Sequence, residues 1–356
     1  MGAHLSGGYP PEPIGRRTFI RPVRRSSWPV AGAGAIGGDG GRSHKAASRD
    51  RVAGGTPGRS KENRAPCLTP PERLGRTRLP DGRSMGWAEW GPESGRPVLL
   101  CAGSATSRWL GLDSSAVGRP GVRLITVDRP GLGVSDAAAG WTLEDWTRDV
   151  RAFAESRELA DMAAIGYSIG APFALACAAA GAVVGASVVS GTDELAHPMF
   201  EGVLEPEVSM LVRRVADDPA LAEKLLAHQT DAETLWEVVT ATGNSADRRI
   251  YADPAFDAAY RRALTEGFSQ GPAGYARETV VAFSPWPFEP SKITVPVDLW
   301  YSEQDTNPFH SPDLGASLAA RIPAARRHLL ADAGTALLWT RAHRILRSLL
   351  GRTSTS

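Results

Sequence analysis

The chain has 356 residues, 42% of them hydrophobic, enough to bury a sizeable core in one large or two small domains. Its net charge of +1 supplies no overall field for nucleic acid or acidic partners. No apolar run reaches the roughly 18 residues that a membrane span needs.

The charge is unevenly spread, because residues 1–60 carry ten Lys/Arg against three Asp/Glu, a net of +7, which leaves −6 for the remainder. Residues 1–66 are rich in Gly, Pro, Arg and Ser, without helical or strand period, and are expected to form a disordered extension ahead of an ordered domain at 67–356. Three patterns occur in this extension: "MGAHLS" matches a myristoylation signal, "GAGAIG" (Gly32 to Gly37) spells GxGxxG, and the acid-poor composition suits a transit peptide. None has its structural context. No strand precedes the glycines, no helix follows them, and amphipathic periodicity is absent, so a solvated tail is the preferred reading. Cys67, Cys101 and Cys177 are odd in number and irregular in spacing, which fits free thiols in a reducing compartment. With no apolar core of a secretory signal at the N-terminus, the expected location is cytoplasmic.

Order is expected from about Pro71. "GRTRL" and "RSMGWAEWG" read as strands joined by a turn at Asp81-Gly82. "RPVLLCAG" and "GVRLITVDRPG" are two more. "TLEDWTRDVRAFAESREL" is an amphipathic helix with a capping box at Thr142 and Asp145 and an apolar face of Leu143, Trp146, Val150 and Phe153. Strand "DMAAIGYS", helix "IGAPFALACAAA" and strand "GASVVSG" follow. Residues 193–283 then read as helical with no convincing strand, before "VPVDLWYS", "DLGASLAARI", "ARRHLLAD" and "TALLWTRAHRILRSLL" resume the strand–helix alternation. Strands apolar on both faces and alternating with helices predict a mostly parallel sheet covered on two sides.

The sharpest chemical signal is Gly166-Tyr167-Ser168-Ile169-Gly170, which matches G-x-S-x-G between an apolar strand and a small-residue helix. On such a turn the serine hydroxyl projects at the carboxyl edge of the sheet, Gly166 and Gly170 let neighbouring backbone pass, and the helix N-terminus faces any oxyanion. Together with "VDRPGLGVSD" and "WPFEPSKITVPVDLWYSEQD", this motif makes residues from about Gly75 to Leu350 resemble the α/β-hydrolase superfamily, most closely its bacterial serine-type members with a helical cap. The resemblance implies an α/β-hydrolase fold with a mostly parallel central sheet, helices on both faces and a cap insertion at 193–285. It implies Ser168 as nucleophile, Asp305 in "WYSEQDTNP" as triad acid, and backbone N–H groups of Ser104 and Ile169 as the oxyanion hole. In "CAGSATSR", Ala102 stands where such enzymes usually have histidine, and Gly103 is kept. Asp128, Arg129, Gly131 and Gly133 read as scaffold of the "DRPGLG" loop.

The family's histidine belongs after the last strand, and there this chain has Ala333-Gly334-Thr335. A threonine hydroxyl cannot serve as a base near neutral pH. Of the seven histidines, His4 and His44 fall in the extension, His328 and His343 read as structural, and His197 and His228 fall in the expected cap. His310, five residues after Asp305, is the foremost surrogate base. Two readings stand open: a serine hydrolase of esterase type acting on a small ester, lactone or amide through an acyl-enzyme at Ser168, and a catalytically inactive relative that binds a small apolar ligand or a partner in the old pocket. Tyr167, Trp109 and Trp286 are candidate pocket walls. No cofactor or metal is expected, since no His/Cys cluster has metal-ligand spacing, and the expected partner is a small molecule rather than nucleic acid or membrane.

Overall fold

Eight strands, each where the sequence pattern places one, form a single sheet in the computed structural model, which describes residues 68–118 and 120–353. They are β1 (Arg73–Arg78), β2 (Ser84–Trp90), β3 (Arg96–Cys101), β4 (Val122–Val127), β5 (Ala163–Tyr167), β6 (Ala186–Val189), β7 (Val297–Ser302) and β8 (Ala325–Leu330), in the spatial order β1-β2-β4-β3-β5-β6-β7-β8. β1 pairs antiparallel with β2, and β2 with β4; every other pairing is parallel. The expectations for the extension, including its motifs and Cys67, lie outside the described residues.

The helices are α1 (Ser114–Gly118), α2 (Leu143–Ser156), α3 (Ala171–Ala179), α4 (Pro206–Asp217), α5 (Pro219–Gln229), α6 (Ala232–Thr242), α7 (Ser245–Tyr251), α8 (Pro254–Gly267), α9 (Ala273–Phe283), α10 (Ala316–Arg321), α11 (Leu337–Thr340) and α12 (Ala342–Thr353). α2 starts at the expected capping box, in which Thr142 accepts from the Asp145 N–H and Asp145 accepts from the Thr142 N–H, and it buries Leu143, Trp146, Val150 and Phe153. α3 is apolar on all sides and almost wholly buried, as a helix must be when it packs tightly under a sheet. β5 and β7 are buried at every residue, which explains their unbroken apolar runs.

Between β6 and β7 the alternation is interrupted by α4 to α9, with no strand among the described residues of that stretch. The core runs without a break from the sheet into this insertion, where Tyr251 packs on Phe256 and Phe256 on Tyr260, and the last two meet Trp339 of α11. Among the described residues no helix is long and apolar enough to cross a membrane.

Candidate active site

The turn after β5 has the geometry that its motif predicts. Ser168 sits at φ +52, a left-handed conformation that costs a non-glycine residue about 1–3 kcal/mol and persists only where the surroundings impose it. Those surroundings are tight: a Cβ on Gly170 would lie 1.9 Å from the Cys101 carbonyl oxygen at the end of β3, and one on Gly166 would lie 2.7 Å from the Ala171 Cα. Only glycine fits at both positions. A single 3-10 turn, Ser168–Gly170, leads into α3. The N–H of Ile169, at the mouth of that helical run, therefore has no partner within it.

The structure places His310 against this serine. Its Nε2 lies 3.0 Å from Ser168 Oγ, and its Nδ1 lies 2.8 Å from Asp305 Oδ2. The side chains of His310 and Asp305 are 2% and 1% exposed, so both contacts are shielded from water. If Nδ1 carries the proton and donates to the carboxylate, Nε2 is left as an acceptor for the serine hydroxyl.

What brings a histidine only five residues from the acid back to the serine is the fold of its own loop. The Asp305 N–H returns to Ser302 O at the end of β7, and the Asn307 N–H donates to Asp305 Oδ1. Asn307 Oδ1 accepts from the Phe309 N–H, and the His310 N–H donates to Asn307 O, closing a compact turn around Pro308. Thr192, just past β6, anchors this turn by donating its hydroxyl to Phe309 O, while its N–H donates to Ser168 O. The loop and the nucleophile turn thus share one tether.

Thr335 has a different environment. It is buried, its N–H and hydroxyl both contact Asp247 Oδ2 at 2.9 and 3.0 Å, and its hydroxyl lies 3.3 Å from the Tyr251 hydroxyl. Asp247 Oδ1 also accepts from the Ala336 N–H at 2.8 Å. The carboxylate of α7 therefore caps the turn that leads into α11, and a Cβ on Gly334 would strike it at 2.2 Å. Burial, together with the nearby Asp247 charge, pushes the Tyr251 phenol far above its usual range, so it stays a neutral hydrogen-bonding group.

The other described histidines stand apart from Ser168. His328 stacks on Trp300 at 3.8 Å and lies 3.4 Å from Asp298, His343 pairs with Arg347 on α12, His197 accepts from the Met199 N–H, and His228 is exposed on α5.

Ser104 and Ile169 both line a cavity together with Ser168. No acceptor among the described residues takes the Ser104 N–H. The cavity holds about 1000 Å³ of empty space, counting its open mouth. Its floor is the sheet edge, and its walls are mostly apolar residues of the insertion, among them Leu226 of α5, Leu235 and Val239 of α6, and Phe283 of α9, with Glu207 and Arg214 of α4 also on the lining. Tyr167, Trp109 and Trp286, expected as walls, do not line it. Each ring is engaged elsewhere: Tyr167 packs on Trp339 at 4.8 Å, Trp109 lies under the Arg262 guanidinium, and Trp286 stacks on Phe288. Cys101, buried behind the nucleophile turn, has its thiol pushed up to about 12 by burial, which leaves it protonated and inert. Among the described residues no group of three or more His, Cys, Asp or Glu could hold a metal ion.

Sequence reasoning had no grip on Asn307, Asp247 or Glu278. Asn307-Pro308 is a turn signal that also marks many idle loops, and Asp247 reads as the third residue of a capping box on Asn244, which it also is. Glu278, flanked by the apolar run of α9, left one trace: a carboxylate in a helix buried on nearly every side.

Comparison with known proteins agrees with this fold. The model of the Alpha/beta hydrolase family matches residues 98–347. The fold is similar to an esterase from Rhodococcus sp. ECU1013 (TM-score 0.56, 19% identity, covering 79% of this chain and 99% of that one). It is also similar to an enol-lactonase from Burkholderia xenovorans LB400 (0.58, 19%, 78% and 98%) and a putative aryl esterase from Burkholderia cenocepacia (0.54, 22%, 78% and 96%). At these identities the likeness is one of fold. No curated protein matches the chain.

Proposed function

Since the chain belongs to the alpha/beta hydrolase family, we propose that it is a serine hydrolase acting on a carboxylic ester or lactone, with Ser168 as nucleophile, His310 as general base and Asp305 as the acid that orients it. The observation that carries this reading is the unbroken relay from Asp305 Oδ2 through His310 to Ser168 Oγ, at 2.8 and 3.0 Å. It supplies a base that the turn after β8 lacks, and so favours turnover over a ligand-binding protein without catalysis.

In this mechanism Ser168 Oγ attacks the substrate carbonyl carbon as His310 Nε2 takes the hydroxyl proton, and Asp305 stabilises the imidazolium that forms. The Ser104 and Ile169 N–H groups receive the oxyanion. Collapse expels the alcohol, protonated by His310, and leaves an acyl-enzyme. A water deprotonated by the same imidazole then attacks the acyl carbon, releasing the acid and restoring the serine. The apolar walls would take an aliphatic or aromatic substituent of the substrate, and the esterase and lactonase among the structural neighbours are consistent with this substrate class.

The test is labelling of the full chain with a fluorophosphonate probe, alongside turnover of p-nitrophenyl esters of increasing acyl length. Labelling and turnover that disappear together in Ser168→Ala are the expected result, with Leu226→Trp shifting the preference to shorter acyl chains. Turnover that survives in Ser168→Ala sinks the proposal.

A further inference from the structure

The turn that would supply the oxyanion hole is held by a buried ion pair. Arg129, in the loop after β4, donates to Ala102 O at 3.0 Å and to Gly103 O at 2.8 Å, fixing two successive carbonyls ahead of Ser104. Glu278 of α9 fixes the other side by accepting the Ala105 N–H at 2.5 Å. The pair is closed by Arg129 Nε donating to Glu278 Oε2 at 2.5 Å. Glu278 is fully buried and Arg129 is 2% exposed. Ala105, the residue that Glu278 grips, is itself at φ +49, a strained conformation immediately after the candidate donor. The Arg129 guanidinium also lies 5.0 Å from the Phe173 ring centroid on α3, the helix that carries the nucleophile turn.

Two opposing grips hold the residues either side of Ser104, a cavity-lining residue whose N–H has no acceptor among the described residues. Burial pushes the Glu278 carboxyl up, against the pull of the Arg129 charge, and charges are buried in this way only where each has its partner. Arg129 supplies a donor to each of the two carbonyls, and the Thr106 hydroxyl is a second donor to Gly103 O at 2.8 Å.

We infer that Arg129 and Glu278 are positioning residues for the oxyanion hole, and that Glu278, on the last helix of the insertion, makes the seating of the insertion and the assembly of the hole a single event. The inference rests on the serine-hydrolase reading above. Misplacing one hole donor by about 1 Å costs on the order of 100-fold in rate.

The experiment measures kcat, KM, thermal midpoint and inhibition by an aryl trifluoromethyl ketone, whose serine adduct carries an oxyanion. The variants are Glu278→Gln and the double variant Arg129→Met with Glu278→Met. The double variant buries no charge, so its thermal midpoint is expected to lie above that of Glu278→Gln. Its kcat should nonetheless fall about 100-fold, with KM within about threefold of the wild type and ketone affinity lost in parallel with kcat. Glu278→Gln keeps an oxygen for the Ala105 N–H and should lose about tenfold or less in kcat. A double variant with wild-type kcat and ketone affinity, or rate losses that simply follow the thermal midpoints, overturns the inference while leaving Ser168-dependent turnover in place. Absence of Ser168-dependent turnover in the wild type overturns both readings.

Discussion

The loops that follow β7 and β8 leave the sheet at the same edge, one strand apart, and have opposite characters. The first folds a compact turn between Asp305 and His310 through its own hydrogen bonds and presents its histidine to Ser168. The second is hydrogen-bonded outward, to the Asp247 carboxylate on α7, and its threonine is sealed between that carboxylate and Tyr251. In the family pattern the second loop supplies the base. In the proposed mechanism the base comes instead from the first, which also carries Asp305, while the second ties the insertion to the sheet. A catalytic relay needs three groups at fixed separations; it does not need them in a fixed chain order.

The comparison breaks most sharply at His310. His310→Ala is expected to lower kcat about 10⁶-fold, as loss of the base does where such a relay operates, measured by ester turnover with the fold checked by circular dichroism. Asp305→Asn, which keeps shape and loses charge, should cost about 10⁴-fold. Adding Thr335→His to His310→Ala should restore nothing, because the new ring would meet Asp247 and Tyr251; recovered turnover would return the base to the second loop.

Smaller effects sharpen the other side. Asp247→Ala leaves the N–H groups of Thr335 and Ala336 without acceptors in a buried turn, and should lower unfolding stability in urea by on the order of 3 kcal/mol, with little change in kcat of the folded protein. Thr335→His alone should overpack the site, costing about 1–3 kcal/mol without raising turnover. Thr335→Val removes only a hydroxyl and should cost about 1 kcal/mol by the same measurement.

Much of this was legible in the chain. The eight strands follow from their apolar runs, α2 from its 3.6-residue stripe and its cap, and the turn at Ser168 from two glycines whose missing side chains the packing of Cys101 and Ala171 demands. Asp305 is placed by its position just past β7. His310 was visible as a candidate, but its contact with Ser168 was not, since whether its ring reaches the serine depends on a turn built by Asn307 and anchored by Thr192, more than a hundred residues earlier in the chain. Thr335 looked like a loss because the residue that gives it a purpose, Asp247, is 88 positions away.

The amino-acid sequence by itself determined the layering of helices on a parallel sheet and the shape of the nucleophile turn, because periodicity and steric exclusion act between near neighbours. Only the tertiary structure decided which histidine meets the serine, what Thr335 does, and how Glu278 comes to grip the Ala105 N–H from 173 residues away. Each of those contacts is a single directional bond between segments far apart in the chain, and a bond of that kind leaves almost no pattern in the residues beside it.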